Sequence, residues 1–160
     1  MPTHIVRRDL FNLIGLTAAS GLMVACHAEV PVLSVIVTPS PTSIPQPNSR
    51  TPHAFADYAE QMRQLAVSSG DQAFGAIVVK DNRVIGLGPS RVIVTNDPTA
   101  HAEIEAIRDA CRRLGTRDLS ACLLYSTSRP CRMCSAAAYW AHIARMFYGT
   151  EALDAGPPLL

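Results

Sequence analysis

Asn96-Asp97-Pro98-Thr99-Ala100-His101-Ala102-Glu103 and, further along, Pro130-Cys131-Arg132-Met133-Cys134 are the stretches on which the reading of this chain turns. Cys131 and Cys134 are three apart, so on the first turn of a helix both sulfurs face one way. Unpaired amides and the helix dipole at such a start stabilise thiolate, the form of cysteine that binds metal. His101 adds a nitrogen donor from a second helix start, because Asp97 suits an N-cap and Pro98 the first helical position. One imidazole and two thiolates make three zinc ligands. Three ligands leave a fourth tetrahedral position open, as in catalytic zinc sites and unlike closed structural ones.

Glu103 stands two residues beyond His101, close to the metal without being needed as a ligand. Zinc lowers the pKa of a water it holds to about 7. A carboxylate beside it can take that proton and return protons to a ring nitrogen and a departing amine. Each piece alone has an ordinary alternative: a C-x-x-C step can be redox-active, and a lone histidine at a helix start carries no chemistry. The joint pattern points to hydrolysis at a metal. His142, a full helix length from Cys131, is poorly placed to close the site as a fourth ligand. Cys111 and Cys122 fall on a helix and a strand and are expected as small buried apolar residues.

Working outward, Phe55, Tyr58, Met62 and Leu65 lie on one stripe of an expected helix from Ala54 to Ser69. Ala73 to Lys80 is a β-branched apolar run, Asp81-Asn82 a two-residue turn, and Arg83 to Leu87 a returning strand, so the pair is an antiparallel hairpin. Gly86 to Asn96 reads as loop. A second helix runs from Asp97-Pro98 to about Leu114 and stops at Gly115. Ala121 to Thr127 is a third strand, Ser128 to Pro130 a crossover, Cys131 to His142 a third helix, and Ile143 to Tyr148 a fourth strand. This order predicts an α/β fold, a three-layer α-β-α arrangement whose central sheet is mixed because its first pair is a hairpin. Ligands of such sheets sit at strand carboxyl ends, where loops feed helix starts.

The 160 residues are 48% apolar and 17% charged, enough for one packed domain with an appendage. Net charge is +1, and from Arg50 onward twelve basic side chains face eleven acidic ones. Such a balance offers no electrostatic footprint for a long nucleic acid.

Residues 1–28 have the plan of an export signal: a short basic start with Arg7-Arg8, then an apolar run from Leu10 to Val24. Arg7-Arg8-Asp9-Leu10-Phe11 resembles a twin-arginine signal, and Met23-Val24-Ala25-Cys26 resembles a lipobox with Met23 in place of the usual branched aliphatic. The expectation is an exported protein, periplasmic or tethered as a lipoprotein with a lipid anchor at Cys26; cleavage after Ala28 is the soluble alternative. Residues 29–53 form a Pro/Ser/Thr-rich linker, with five prolines between Val37 and His53 favouring extended chain. The domain then occupies residues 54–160.

The stretch Asn96 to Glu103, the Pro130-Cys131 to Cys134 step and Tyr139-Trp140-Ala141 together resemble the cytidine-deaminase superfamily, whose zinc deaminases carry an H-x-E with P-C-x-x-C signature. Within it they are most similar to the bacterial guanine deaminases, with the tRNA adenosine deaminases as close relatives, over roughly Ala54 to Gly149. The resemblance implies the cytidine-deaminase-like fold, a Zn2+ cofactor, a homodimer, and a base pocket lined by Phe74, Ala102 and Trp140. Three departures stand out. The position of the family's base-binding asparagine is Ser90. The usual acidic residue before the zinc-site proline is Arg129, and Arg132 stands between the cysteines. Guanine deaminases also extend past the fourth strand with a tail that gives the pocket an aspartate and a tyrosine, whereas this sequence stops at Leu160, so guanine specificity does not carry over residue by residue.

The expected function is therefore hydrolytic deamination of a small-molecule base or nucleoside, releasing ammonia, as in purine metabolism. A tRNA adenosine deaminase is the first alternative; near-neutral charge and the export signal oppose it. A degenerate zinc-binding module without turnover is the second, and an intact Glu103 speaks against it.

Overall fold

The computed structural model describes residues 43–160; the arginine pair, Cys26, the signal segment and most of the linker lie outside the described residues. The elements are α1 (Pro52–Ser68), β1 (Gly75–Lys80), β2 (Arg83–Pro89), α2 (Ala102–Leu114), β3 (Leu123–Ser126), α3 (Arg132–Trp140), β4 (Arg145–Tyr148) and β5 (Leu153–Gly156). The five strands make one sheet in the order β2-β1-β3-β4-β5. β1 runs antiparallel to β2 and to β3; β3 and β4 are parallel across the α3 crossover; β5 returns antiparallel beside β4.

Alternation along β1 builds the three layers. Ala76 and Val78, with Leu124 of β3, join a core with Ala106 and Ala110 of α2 and Ala138 of α3. Ile77 and Val79, with Tyr125, join a second core with Phe55, Ala59 and Met62 of α1. Ile77, Val78 and Val79 are all buried, as a strand covered on both faces must be. Tyr125 is held between Phe55 and Phe147, ring centroids 5.4 and 4.8 Å away. The mixed α/β sheet expected from element order is therefore present, with α1 on one face and α2 and α3 on the other.

The seam between β2 and α2 fixes where the site lies. A Cβ placed on Gly88 would come 2.1 Å from the Ala102 carbonyl oxygen, and one on Gly86 2.5 Å from that of Ala106. Ala102, Ala106 and Ala110 present the matching small face of α2, one residue per helical turn. Backbone thus packs close on backbone, and the start of α2 is set down on the sheet with only alanine methyls beside the glycines.

Several boundaries differ from the sequence expectation. α2 begins at Ala102, not at Asp97-Pro98, because the Asp97 carboxylate accepts from the Thr99 amide (2.8 Å) and hydroxyl (2.7 Å) and folds a local turn instead. Cys131 is the N-cap of α3, and that helix ends at Trp140; His142, expected as its last residue, has φ 61°, outside helical space. β5 was not anticipated: Asp154-Ala155-Gly156 runs directly into Pro157-Pro158 and reads as a turn. The end of the expected linker is built into the domain. Ile44 packs against the α1 core, Gln46 exchanges hydrogen bonds with the Val84 backbone (3.0 and 2.8 Å), and Thr51 caps α1.

Candidate active site and metal centre

His101 and Cys131 occupy the N-cap positions of α2 and α3, both with extended backbone, and Cys134 lies within the first turn of α3. The structure brings all three to one point. Cys131 Sγ lies 3.8 Å from His101 Nδ1, Cys134 Sγ lies 3.6 Å from it, and the sulfurs are 3.6 Å apart. Zinc bonds of about 2.3 Å to sulfur and about 2.0–2.1 Å to nitrogen, at tetrahedral angles, require edges of roughly 3.8 Å between sulfurs and roughly 3.6 Å from sulfur to nitrogen. The donors already stand at that spacing. Among the described residues they form the one group of three or more such side chains close enough to hold a metal ion. Burial, then the Glu103 carboxylate and Cys131, push the Cys134 thiol far above its ordinary pKa, so a thiolate there needs a cation to balance it. Residues and site fit zinc.

Glu103, on the first turn of α2, is buried beside this group. Its Oε1 accepts from the Ser126 hydroxyl at 3.0 Å, and its Oε2 lies 3.3 Å from Cys134 Sγ. Ser126, at the end of β3, therefore orients the carboxylate. His101, Ala102, Glu103 and Cys131 open onto a cavity of about 190 Å3, completed by Phe74, Ser128 and Arg129. Phe74 and Ala102, expected at a base pocket, line this cavity, and Ser128 and Arg129 are further wall residues that the motif alone does not single out.

Two expected contacts lie elsewhere. Ser90 is buried and donates its hydroxyl to Asp71 Oδ1 at 2.8 Å, so it is committed to the fold and does not line this cavity. Trp140 is 70% exposed at the far end of α3, roughly 12 Å of helix from its start. It borders a separate hollow with Tyr139 and Pro157. His142 pairs with Asp118 at 3.2 Å, away from the metal donors. Cys122 is buried and Cys111 half-buried, both as free thiols that burial pushes up in pKa.

Asp71 was not singled out by sequence, since an acid after Gly70 reads as an ordinary turn. It organises the approach to the site. Besides Ser90 it accepts from the Gln72 amide (2.8 Å) and the Ile93 and Val94 amides (2.9 Å each). Burial raises its carboxyl pKa, but these hydrogen bonds together outweigh burial and leave it below the ordinary range. The loop so held is tied to Ala100, beside His101, by the Arg91 amide (3.0 Å).

Residues 49–150 match the family described as the cytidine and deoxycytidylate deaminase zinc-binding region. This chain belongs to that family. Among its relatives, the guanine deaminase of Bacillus subtilis (strain 168) is 50% identical over 82 residues, 51% of this chain and 53% of that protein. Its solved structure superposes with a TM-score of 0.57 at 44% identity, covering 59% of this chain and 61% of that one. The tRNA-specific adenosine deaminase of Aquifex aeolicus (strain VF5) is 41% identical over 100 residues, 62% of this chain and 65% of that protein. A structure solved in complex with 2,6-diaminopurine has a TM-score of 0.59 at 29% identity, covering 62% of this chain and 57% of that one. The chain spans about half the length of the Bacillus relative, and the family match over residues 49–150 includes His101, Glu103, Cys131 and Cys134.

Proposed function

We propose that this protein is a zinc-dependent hydrolytic deaminase of a free nucleobase or nucleoside, replacing an exocyclic amine by oxygen from water and releasing ammonia. The observation that carries this reading is the oriented Glu103 carboxylate beside three donors at zinc spacing, on the wall of a base-sized cavity. His101, Cys131 and Cys134 would hold the ion, which when bound supplies Lewis acidity at the open end of the site. Glu103 takes a proton from water and delivers protons to the ring nitrogen and then to the leaving amine. Ser126 keeps Oε1 engaged, so proton traffic falls to Oε2, on the side of the metal donors. Phe74, 43% exposed on the cavity wall, offers an aromatic face to a planar base. The names of the Bacillus guanine deaminase and of the diaminopurine complex favour a purine. The Aquifex relative keeps tRNA editing as a second reading, which a net charge of +1 disfavours.

Ammonia release from guanine, adenine, cytosine and their nucleosides tests the proposal together with two variants. Glu103→Gln keeps the Ser126 hydrogen bond, so zinc content and fold should be retained while turnover falls about 10²–10⁴-fold. His101→Ala should lose metal and turnover together. Equal turnover in the parent and in Glu103→Gln would refute the assigned role. No turnover of any base or nucleoside would leave a zinc-binding module.

A further inference from the structure

Phe74 and His101 wall the same cavity from two separate segments, one just before β1 and the other at the N-cap of α2. The buried carboxylate of Asp71 is bonded to both segments. Its Oδ1 accepts from the Gln72 amide, two residues before Phe74, and from the Ser90 hydroxyl, each at 2.8 Å. Its Oδ2 accepts from the Ile93 and Val94 amides at 2.9 Å each. Ser90 carries the connection onward in two directions. Its amide donates to the Phe74 carbonyl at 3.0 Å. The amide of the next residue, Arg91, donates to the carbonyl of Ala100, the neighbour of His101, also at 3.0 Å. The Asp97 amide donates to the Val92 carbonyl at 3.1 Å and closes the loop of residues 90–100 on itself.

An ionised carboxylate has about four acceptor positions, and here all four are taken. An aspartate that merely shapes a turn bonds the backbone a residue or two away. Three of the bonds to Asp71 instead come from residues 19, 22 and 23 positions further along the chain. They bypass the rest of the site. Glu103 is placed by the seam of α2 on β2 and by the Ser126 hydroxyl, and Cys131 and Cys134 by α3. The support of the carboxylate is thus separate from the support of His101 and Phe74.

We infer that Asp71 is a positioning residue of the site: by tying the loop of residues 90–100 to the segment that ends at Phe74, it holds a metal donor and the aromatic wall of the base cavity at a fixed spacing. This inference rests on the deaminase reading above. Asp71 touches neither ion nor base and acts through backbone alone. Partners that orient a metal ligand are worth about 10–100-fold in metal affinity, and Asp71 acts one step further out, so about tenfold is expected.

The test uses the full chain with Asp71→Ala, Asp71→Asn and Ser90→Ala, at temperatures where each variant is folded. Val79→Ala is the control for lost stability alone, since it opens a cavity on β1 next to the hairpin turn. Zinc affinity is read by competition with a chromophoric chelator, and the ligand field by the absorption spectrum of the cobalt(II)-loaded chain. At saturating zinc, kcat and KM are measured with guanine, adenine and cytosine. Asp71→Ala should weaken zinc about tenfold, alter the cobalt spectrum and raise KM several-fold. Its kcat should stay near the parent's, because Glu103 keeps its own supports. Asp71→Asn leaves an acceptor oxygen for Ile93 and Val94 and turns its NH2 to the Ser90 hydroxyl, which can accept, so only the Gln72 amide loses its partner. It should recover most of the zinc affinity and KM. Ser90→Ala should shift both in the same direction by less, and it keeps the comparison open where Asp71→Ala does not fold. Val79→Ala should shift neither. Parental zinc affinity and KM in folded Asp71→Ala and Ser90→Ala overturn the inference, as does an equal loss in Val79→Ala. A fall in kcat at unchanged KM also overturns it, and so does an Asp71→Asn no better than Asp71→Ala. Chelator competition and the cobalt spectrum need no turnover, so a chain that deaminates no base strikes the deaminase reading alone, and zinc affinity then decides the inference. Deamination with zinc affinity and KM unmoved by Asp71→Ala strikes the positioning role alone.

Discussion

On the β2 side of the molecule, α2 rests on Gly86 and Gly88 with its backbone against the strand, and Ala102 and Glu103 are buried. On the other side, α3 and the segment before it present Arg129, Cys131, Arg132, Tyr139 and Trp140 at the surface. One cluster draws on both: His101 and Glu103 come from the tight side, Cys131 and Cys134 from α3 and its N-cap. The contrast separates tasks by tolerance. The role proposed for Glu103 needs a position fixed to a fraction of an ångström, and a seam packed this closely supplies it. A surface that meets ligands needs protruding groups, which a backbone-on-backbone seam cannot offer.

The strongest way to break the comparison is Gly88→Val. Its side chain would meet the Ala102 carbonyl rather than a yielding side-chain tip, so the cost should exceed about 3 kcal/mol and lower Tm by roughly 10 °C or more. Thermal unfolding followed by circular dichroism measures this. A Tm within a few degrees of the parent's would mean that α2 can step away from β2 freely.

A smaller loss is expected for Asp71→Ala, which strands the buried Ser90 hydroxyl and the amides of the loop leading to His101. The cost should be about 2–4 kcal/mol at neutral pH, measured by urea unfolding. Its pH dependence has a definite sign. The folded pKa of Asp71 lies below the ordinary value near 3.9, so its contribution is full above that value and disappears as pH falls through the folded pKa. Parent and variant should therefore converge in stability in acid; a gap that stays constant down to strong acid would contradict the carboxylate's role.

On the open side, Asp154→Asn removes the exposed pair with Arg145, 2.8 Å long, between β4 and β5. Tm should move by no more than a few degrees, because exposed ion pairs contribute little. A large drop would show that β5 carries far more of the fold than its exposure suggests.

The sequence made the metal donors legible because ligand chemistry restricts both residue type and spacing, and His101, Cys131 and Cys134 satisfy both. The three layers were legible because helices and strands alternate along the chain, and the buried run Ile77, Val78 and Val79 is the strand covered on both faces that this order requires. Other features depend on contacts that spacing does not encode. Asp97-Pro98 carries the signals of a helix start, yet the Asp97 side chain spends its bonds on Thr99, and the helix waits until Ala102. Ser90 matches a base-binding position by register, but its hydroxyl turns to Asp71. Trp140 sits in a recognisable tripeptide and still lies a helix length from the metal donors. Gly86 and Gly88 look like loop residues until the small face of α2 is seen against them.

That last pairing also constrains how the molecule can change over generations. Glycine can mutate only to something larger, so every coding change at Gly86 or Gly88 adds atoms where the carbonyls of Ala106 and Ala102 leave no room. Inheritance can alter Arg129, Arg132 or the tail at Leu159 without touching that seam. Substitution is thereby tolerated more readily around the start of α3 and the tail than along the seam between β2 and α2.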